Sequence, residues 1–155
     1  MLTENQSVGE RRTGSLTMVK KIVEARRDML ALYNQLAERK PFHEDDEQIQ
    51  EILQEFCEAL VDYTAHAHFQ LYRYFAEKRE RRSEVLAVVT RIYPKIMDVT
   101  QLILEFNDKY DASARTLSLR SLERDLSTLG EGLAERIELE DRLIDVWVNP
   151  GADRH

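Results

Sequence analysis

The sequence of 155 residues is poor in the residue types that form turns and cross-links. It contains 5 glycines, 3 prolines and a single cysteine, Cys57. Because a β-sandwich or barrel needs many tight turns, this scarcity favours long helices with few connections. One cysteine excludes an intramolecular disulfide and cannot by itself build a structural zinc site. At 43 % hydrophobic residues, the chain is still apolar enough to bury a core as one domain.

Membrane-spanning and targeting segments are also missing from the sequence. No run of about 18 apolar residues occurs, so no segment is predicted to cross a membrane. The N-terminus lacks the apolar stretch of a signal peptide, and we therefore expect a cytoplasmic protein without a membrane partner. The 22 basic and 29 acidic residues give a formal net charge of −7, which disfavours direct binding of nucleic acid.

The charge is unevenly distributed along the chain. Residues 11–40 carry eight basic and three acidic side chains, a net of +5, whereas residues 41–155 carry 14 basic and 24 acidic ones, a net of −10. These charges belong either to solvated helix faces that attract one another within the fold or to an acidic docking surface for a basic partner.

Hydrophobic periodicity predicts four long helices. Apolar residues recur at spacings of three and four over four segments, which run from about Ser15 to Glu38, Asp45 to Arg79, Ser83 to Tyr110 and Leu117 to Val148. Four such helices predict an all-α, up-and-down four-helix bundle. Pro94 should kink the third helix near Arg91 to Pro94. We expect a single domain over residues 1–155, with 1–14 and 149–155 as flexible ends.

The second predicted helix carries an apolar side chain on its polar side. If Leu60 and Leu71 face the core, four residues at i, i+4, i+7 and i+11 lie opposite, namely Asp62, His66, Phe69 and Arg73. Together with the flanking Tyr72, Phe69 would form an aromatic-centred patch with a polar rim, which is the composition of a binding hot spot. A lone exposed phenylalanine is equally common on ordinary surfaces, and the pattern alone leaves both interpretations open.

Two charged residues fall on predicted core stripes. Arg26 lies in the middle of the first stripe and Glu140 at the centre of the fourth, with Arg136 one turn before it. A charge in a core must be paired or solvated. We hypothesise that Arg26 and Glu140 form an ion pair, or share a water-linked network, inside the bundle. The alternative is that both side chains extend to the rim of the bundle.

Signatures of catalysis and metal binding are scarce. The sequence has no glycine-rich phosphate loop, no HExxH and no paired CxxC. Cys57 lies beside apolar residues and is predicted to be a packed thiol rather than a nucleophile. On a helix, His66 and His68 point about 200° apart and cannot bind one metal together. We predict no catalytic residue, no metal and no cofactor. A histidine phosphotransfer bundle using His66 and a hemerythrin-like metal bundle stay as alternatives.

One stretch of the second helix is distinctive as a motif. The sequence FCEALVDY at residues 56–63, followed by HFQLY at residues 68–72, resembles a segment of the regulator of sigma D family, Rsd/AlgQ. Weaker similarities cover nearly the whole chain and include Ile92-Tyr93-Pro94, Phe106-Asn107-Asp108 and the stretch from Leu133 to Ile144.

The resemblance implies an all-helical anti-sigma regulator with no enzymatic activity. Family members bind the C-terminal domain of the primary sigma factor of bacterial RNA polymerase, which reads the −35 promoter element, and sequester it. We expect this domain to be the partner, with core RNA polymerase as a second candidate.

The resemblance also implies roles for individual residues. Asp62 and Phe69 match partner-contacting positions, and Lys20, Lys21 and Ile22 stand where the family usually has an Asp-Arg-Trp triplet on its sigma-binding face. Together with His66, Tyr72 and Arg73 of the helix face described above, these residues complete the predicted partner surface, which contains Lys20, Lys21, Ile22, Asp62, His66, Phe69, Tyr72 and Arg73. A polar core that supports this surface is predicted from Arg26, Tyr63, His68 and Glu140.

Overall fold

A computed structural model describes residues 4–43, 45–76, 82–111 and 119–148, with side chains described for 17–43, 45–73, 75, 82–111 and 119–148. Within these ranges the chain forms helices and no strands, which confirms the all-α class. The long helices are α1 (Glu4–Ala37), α2 (Glu47–Ala67), α4 (Ser83–Tyr110) and α5 (Leu122–Val148). A π-helical turn (His68–Tyr72) and the short α3 (Arg73–Ala76) continue α2. None of the helices in the described ranges combines the length and apolarity needed to cross a membrane.

The four long helices form a closed ring in which α1 packs on α2, α2 on α4, α4 on α5 and α5 on α1. The contacts between α1 and α5 show their relative direction, because Arg26 reaches Glu140 whereas the later Tyr33 reaches the earlier Leu126. These two helices are therefore antiparallel. The same reversed order holds for α4 and α5, through the pairs Thr100–Arg136 and Tyr110–Asp125. The up-and-down arrangement predicted from the four periodic segments is confirmed.

The helix boundaries follow the predictions with some shifts. Helix α4 has the predicted bounds and continues through Pro94, and the kink there stays a prediction. Helix α1 begins at Glu4, well before the predicted start and within the predicted flexible end. Hydrophobic periodicity does not reveal this first part of the helix, because the segment is polar and has no apolar stripe. Helix α5 begins at Leu122. The predicted start of that helix at Leu117, the predicted end of the second helix at residues 77–79, and the ends at 1–3 and 149–155 lie outside the described residues.

The core contains many of the apolar residues of the four periodic segments, and in α5 it also contains charged ones. Ile137 and Ile144 are only half-buried, whereas Arg136, Glu140 and Leu143 are buried. The core line of α5 therefore passes through Arg136 and Glu140, the charged positions that the sequence places on this stripe, and leaves Ile137 and Ile144 at its edge. The observed core includes both charges.

Gly130 permits a close contact between α1 and α5. A Cβ atom at Gly130 would lie 2.1 Å from the Tyr33 hydroxyl oxygen. Without one, Tyr33 lies against α5 and donates to the Leu126 carbonyl at 3.0 Å, while its ring meets Phe56 edge-on at 5.8 Å. Gly130, in the middle of α5, is therefore a packing site.

The π-helical turn changes the register of the second helical stretch. The backbone N–H of Arg73 donates to the carbonyl of His68, five residues earlier. One extra residue in a turn rotates the following chain by about 100°. As a result Leu71 and Tyr72 both face the core, and Phe75 is buried, whereas an uninterrupted α-helical spacing from Leu71 would favour burial of Tyr74. The side chain of Tyr74 lies outside the described residues.

Candidate functional site

All four large hydrophobic side chains that are exposed in the described structure line one groove. They are Phe69, Leu104, Val61 and Met97, with exposed fractions of 58, 48, 42 and 42 %. This apolar groove lies between α2, the π-helical turn and α4, and encloses about 220 Å³. The sequence identified Phe69 only. Met97 and Leu104 could have been identified from the sequence, because both are apolar and lie off the apolar stripe of their helix. They are seven residues apart and therefore share one face of it.

A second groove, which is polar, lies on the other side of α2. Three of its lining residues, Lys21, Asp62 and His66, belong to the predicted partner surface, and all three are exposed. This polar groove between α1 and α2 encloses about 460 Å³. The structure therefore brings Lys21, Asp62 and His66 together. It places them across the α2 ridge from Phe69, which lines the apolar groove.

An acidic stripe runs along α2 toward both grooves. It consists of five exposed carboxylates at spacings of three and four, namely Glu47, Glu51, Glu55, Glu58 and Asp62. Residues so spaced share one face of a helix. The stripe ends at Asp62, the neighbour in sequence of the groove residue Val61. A surface of one charge sign thus leads directly to an exposed apolar site.

Three of the predicted site residues lie elsewhere than expected. Ile22 is fully buried, so it packs in the core and is not a surface contact. Tyr72 is also buried, because the π-helical turn rotates it inward. His68 was predicted in the polar core, but it is exposed and lines the apolar groove, with its ring 5.2 Å from that of Phe69. Lys20 and Arg73 are exposed, as predicted for surface residues.

The predicted ion pair between Arg26 and Glu140 is confirmed. Arg26 Nη2 donates to Glu140 Oε1 at 2.8 Å, and Arg26 Nη1 lies 2.8 Å from Asp141 Oδ1. Glu140 is completely buried and also accepts hydrogen bonds from the hydroxyl groups of Tyr63, at 2.9 and 3.0 Å, and Tyr72, at 2.8 Å. Both carboxylate oxygens are therefore satisfied within the core.

Arg136 completes this polar core on the side of the apolar groove. Its side chain is 1 % exposed and lines the groove. The guanidinium carbon lies 5.6 and 5.4 Å from the ring centres of Tyr63 and Tyr72, and Nη1 donates to Thr100 Oγ1 at 2.7 Å. Because these contacts join residues of α2, the π-helical turn, α4 and α5, the network fixes the positions of these elements around the groove.

Burial and the charges within this network keep its tyrosine and arginine side chains protonated. Burial, followed by the charge of Glu140, raises the pKa of both Tyr63 and Tyr72. Burial lowers the pKa of Arg26, but the hydrogen bond and charge of Glu140 outweigh it, so the net change is upward. Both hydroxyls stay protonated as donors at neutral pH, and the cluster acts as a fixed structural element.

The described residues show no arrangement for metal or thiol chemistry. Among them, no group of three or more His, Cys, Asp or Glu side chains is placed to hold a metal ion. Cys57 is buried, as predicted for a packed thiol, and its Sγ lies 3.7 Å from the Tyr110 carbonyl oxygen. Burial raises the pKa of this thiol to about 12, so it is protonated at neutral pH and a poor nucleophile.

Comparison with known proteins gives one consistent result. A family model described as "Regulator of RNA polymerase sigma(70) subunit, Rsd/AlgQ" matches residues 1–148. Proteins named "Regulator of sigma D" from Salmonella typhimurium (strain LT2), Salmonella newport and Salmonella arizonae are each 33 % identical over 149 residues, covering 93 % of this chain and 90 % of theirs. No solved structure matches significantly. The matches support neither the phosphotransfer nor the hemerythrin-like alternative.

Proposed function

The chain belongs to the Rsd/AlgQ family of regulators of the RNA polymerase sigma(70) subunit, and on that premise we propose that it binds the C-terminal, −35-reading domain of the primary sigma factor. It is an anti-sigma regulator of transcription. In the proposed mechanism, the bound sigma domain is withheld from the promoter and from core polymerase. The chain acts by binding, without a cofactor or a catalytic step, in the bacterial cytoplasm where its partner works.

The apolar groove beside the acidic stripe is the observation that carries this proposal. A helix-turn-helix that reads promoter DNA is basic, because it neutralises phosphates. The five carboxylates of the acidic stripe offer that surface a complementary charge, which speeds association and orients the partner. The groove supplies the apolar contact, since buried aromatic and aliphatic anchors carry most of the energy of an interface.

Individual residues have distinct tasks in the proposed complex. Phe69, a residue that is 58 % exposed, is the main apolar anchor. Asp62, His66 and Lys21 line the polar groove and form the polar rim that surrounds such an anchor. The buried Tyr72 positions the π-helical turn through its hydrogen bond to Glu140, and so supports Phe69 without touching the partner.

A titration with two forms of sigma factor tests the proposal. The purified chain is titrated at low salt with full-length primary sigma factor and with a truncated form that lacks the C-terminal domain. We expect saturable one-to-one binding to the full-length protein and none to the truncated form. Equal affinity for both forms would contradict the assignment of the domain, and absence of binding to the full-length protein would contradict the proposed partner.

A further inference from the structure

Arg136 is a buried cation at the floor of the apolar groove. Its side chain is 1 % exposed, yet it lines the groove together with Thr100 and Tyr72. Buried arginines are rarely isolated, because the loss of hydration must be offset by an anion with good hydrogen-bond geometry. The ion pairs and hydrogen bonds around Arg136 therefore show whether its positive charge is fully neutralised by an anion inside the bundle.

The charge of Arg136 is only partly matched. Its ion-pair partner among the described residues is Glu140, and the distance from Arg136 Nε to Glu140 Oε2 is 3.8 Å, too long for a hydrogen bond. Both oxygens of Glu140 already accept from Tyr63, Tyr72 or Arg26. Arg136 Nε is buried and makes no hydrogen bond in the described structure.

The groove above this cation is mostly apolar, and its polar lining residues other than Arg136 and Tyr72 are Thr64, His68, Thr100 and Asn107. Its walls include Val61, Phe69, Met97 and Leu104, all exposed at the rim. The volume of about 220 Å³ exceeds the about 150 Å³ of a protein cavity known to hold benzene. It is smaller than the about 300–1,000 Å³ of most drug-sized sites. A compact ring or short chain fits this space, and a nucleotide does not.

We propose that the apolar groove is a binding site for a small amphipathic carboxylate, a monoanion with a compact apolar body, whose carboxylate meets Arg136. The planar guanidinium suits a carboxylate, and a ligand body that covers the apolar walls lowers the local dielectric and so strengthens the pair. The apolar walls cover the body of the ligand. Ligands with several negative charges are disfavoured, because the adjacent acidic stripe repels them.

Occupancy of this site has a consequence for the partner, and this part rests on the proposed function. Phe69 lines the groove and is also the proposed anchor for sigma factor. A ligand held against Phe69 therefore competes with the apolar contact of the partner. The small carboxylate then acts as a regulator that lowers the affinity for sigma factor.

Benzoate is the probe for the site, and benzamide is its neutral control of nearly the same shape. Binding to the purified chain, without sigma factor, is followed by NMR of the Val, Leu and Met methyl groups. We expect saturable benzoate binding with shifts at Val61, Met97 and Leu104, and at least tenfold weaker binding of benzamide. Absence of saturable benzoate binding at millimolar concentration, equal binding of benzamide, or shifts confined to other regions would each overturn the proposal.

Two variants test separately whether benzoate binding needs the charge of Arg136 and the open volume of the groove. Arg136→Met removes the cation and keeps an apolar side chain, and Val61→Trp fills the groove from its exposed rim. We expect each to weaken benzoate binding at least tenfold. Because Arg136→Met changes a buried group, its fold is checked by circular dichroism, and Val61→Trp keeps the test decisive if that variant unfolds. Unchanged benzoate binding in either folded variant would overturn the proposed site.

A competition experiment distinguishes failure of the small-ligand proposal from failure of the proposed binding to sigma factor. Benzoate is added to the complex with sigma factor, and we expect the apparent affinity for sigma to fall. If benzoate does not bind the free chain while folded Arg136→Met loses sigma binding, the cation serves the partner and the small-ligand proposal is wrong. If benzoate binds but sigma factor does not, the ligand site stands and the proposed function fails.

Discussion

Arg26 of α1 and Glu140 of α5 are 114 residues apart in the chain and meet at 2.8 Å inside the bundle. The same carboxylate holds the hydroxyls of Tyr63 and Tyr72, and Tyr72 lies in the π-helical turn that carries Phe69. The pair thus connects the interior of the bundle to its candidate binding surface. A fold with an entirely apolar core would lack this connection.

Loss of the central carboxylate should destabilise the bundle strongly. Glu140→Gln keeps the shape of the side chain but leaves the half-buried Arg26 and the buried Arg136 without the anion between them. Breaking a buried pair in this way costs about 3–5 kcal/mol. Urea denaturation followed by circular dichroism measures the loss in the free energy of unfolding.

Asp141→Asn is the matched control for this change. Asp141 pairs with the same Arg26, but 57 % of its side chain is exposed. A solvent-exposed pair contributes about 0–1 kcal/mol, so the control should unfold near the wild-type midpoint. Equal unfolding free energies for Glu140→Gln and Asp141→Asn would show that the buried network does not stabilise the fold.

The buried tyrosines predict loss of stability at alkaline pH. Burial and, to a smaller extent, the negative charge of Glu140 raise the pKa of Tyr63 and Tyr72 in the folded state. In the unfolded chain the pKa of tyrosine is about 10. Because the two tyrosine hydroxyls hold their protons more tightly in the folded state, they contribute to the free energy of unfolding below about pH 10. This contribution is lost as the pH rises further. The free energy of unfolding measured from neutral to alkaline pH should therefore fall above that value.

Tyrosinate absorbance in the near ultraviolet provides the check on this mechanism. Tyr63 and Tyr72 should ionise only when the protein unfolds, and the alkaline fall in stability should be shallower in Tyr63→Phe. If all tyrosines ionise reversibly while the bundle keeps its circular dichroism, the predicted linkage is wrong.

Charge reversal in the acidic stripe should weaken binding to sigma factor. Asp62→Arg and Glu58→Arg each replace an attractive contact with a repulsive one, and we expect at least tenfold weaker binding at low salt, mainly through slower association. Glu135→Arg, the same change at an exposed site on α5, is the control and should bind as the wild type does. Stopped-flow association rates at several salt concentrations measure the effect, which should shrink as salt screens the charges. A rate independent of salt in the wild type would exclude steering by the stripe.

The single thiol should be unreactive in the folded chain. Cys57 is buried, and burial raises its pKa to about 12, so the nucleophilic thiolate is scarce at neutral pH. An aromatic disulfide reagent should release its coloured thiol slowly from the native protein and rapidly in urea. Rapid stoichiometric release from the native protein would contradict the buried position.

The sequence predicts the fold well, because each helix has its own apolar stripe. The bounds of α4 and the pairing of Arg26 with Glu140 are both visible in it, since a charge that interrupts a stripe requires a partner. The apolar groove is not visible, because Met97 and Leu104 meet Phe69 only when two helices pack. The π-helical turn also has no local signal, and it accounts for the buried position of Tyr72.

Isothermal titration with the C-terminal domain of the primary sigma factor tests the central claim most directly. The wild-type chain, Phe69→Ala and the control Thr128→Ala, an exposed position on α5, are compared at low salt. The account predicts one-to-one binding for the wild type and Thr128→Ala, and binding weakened at least tenfold for Phe69→Ala with its thermal stability unchanged. Wild-type affinity in Phe69→Ala, or no binding of the domain by the wild type, would contradict it.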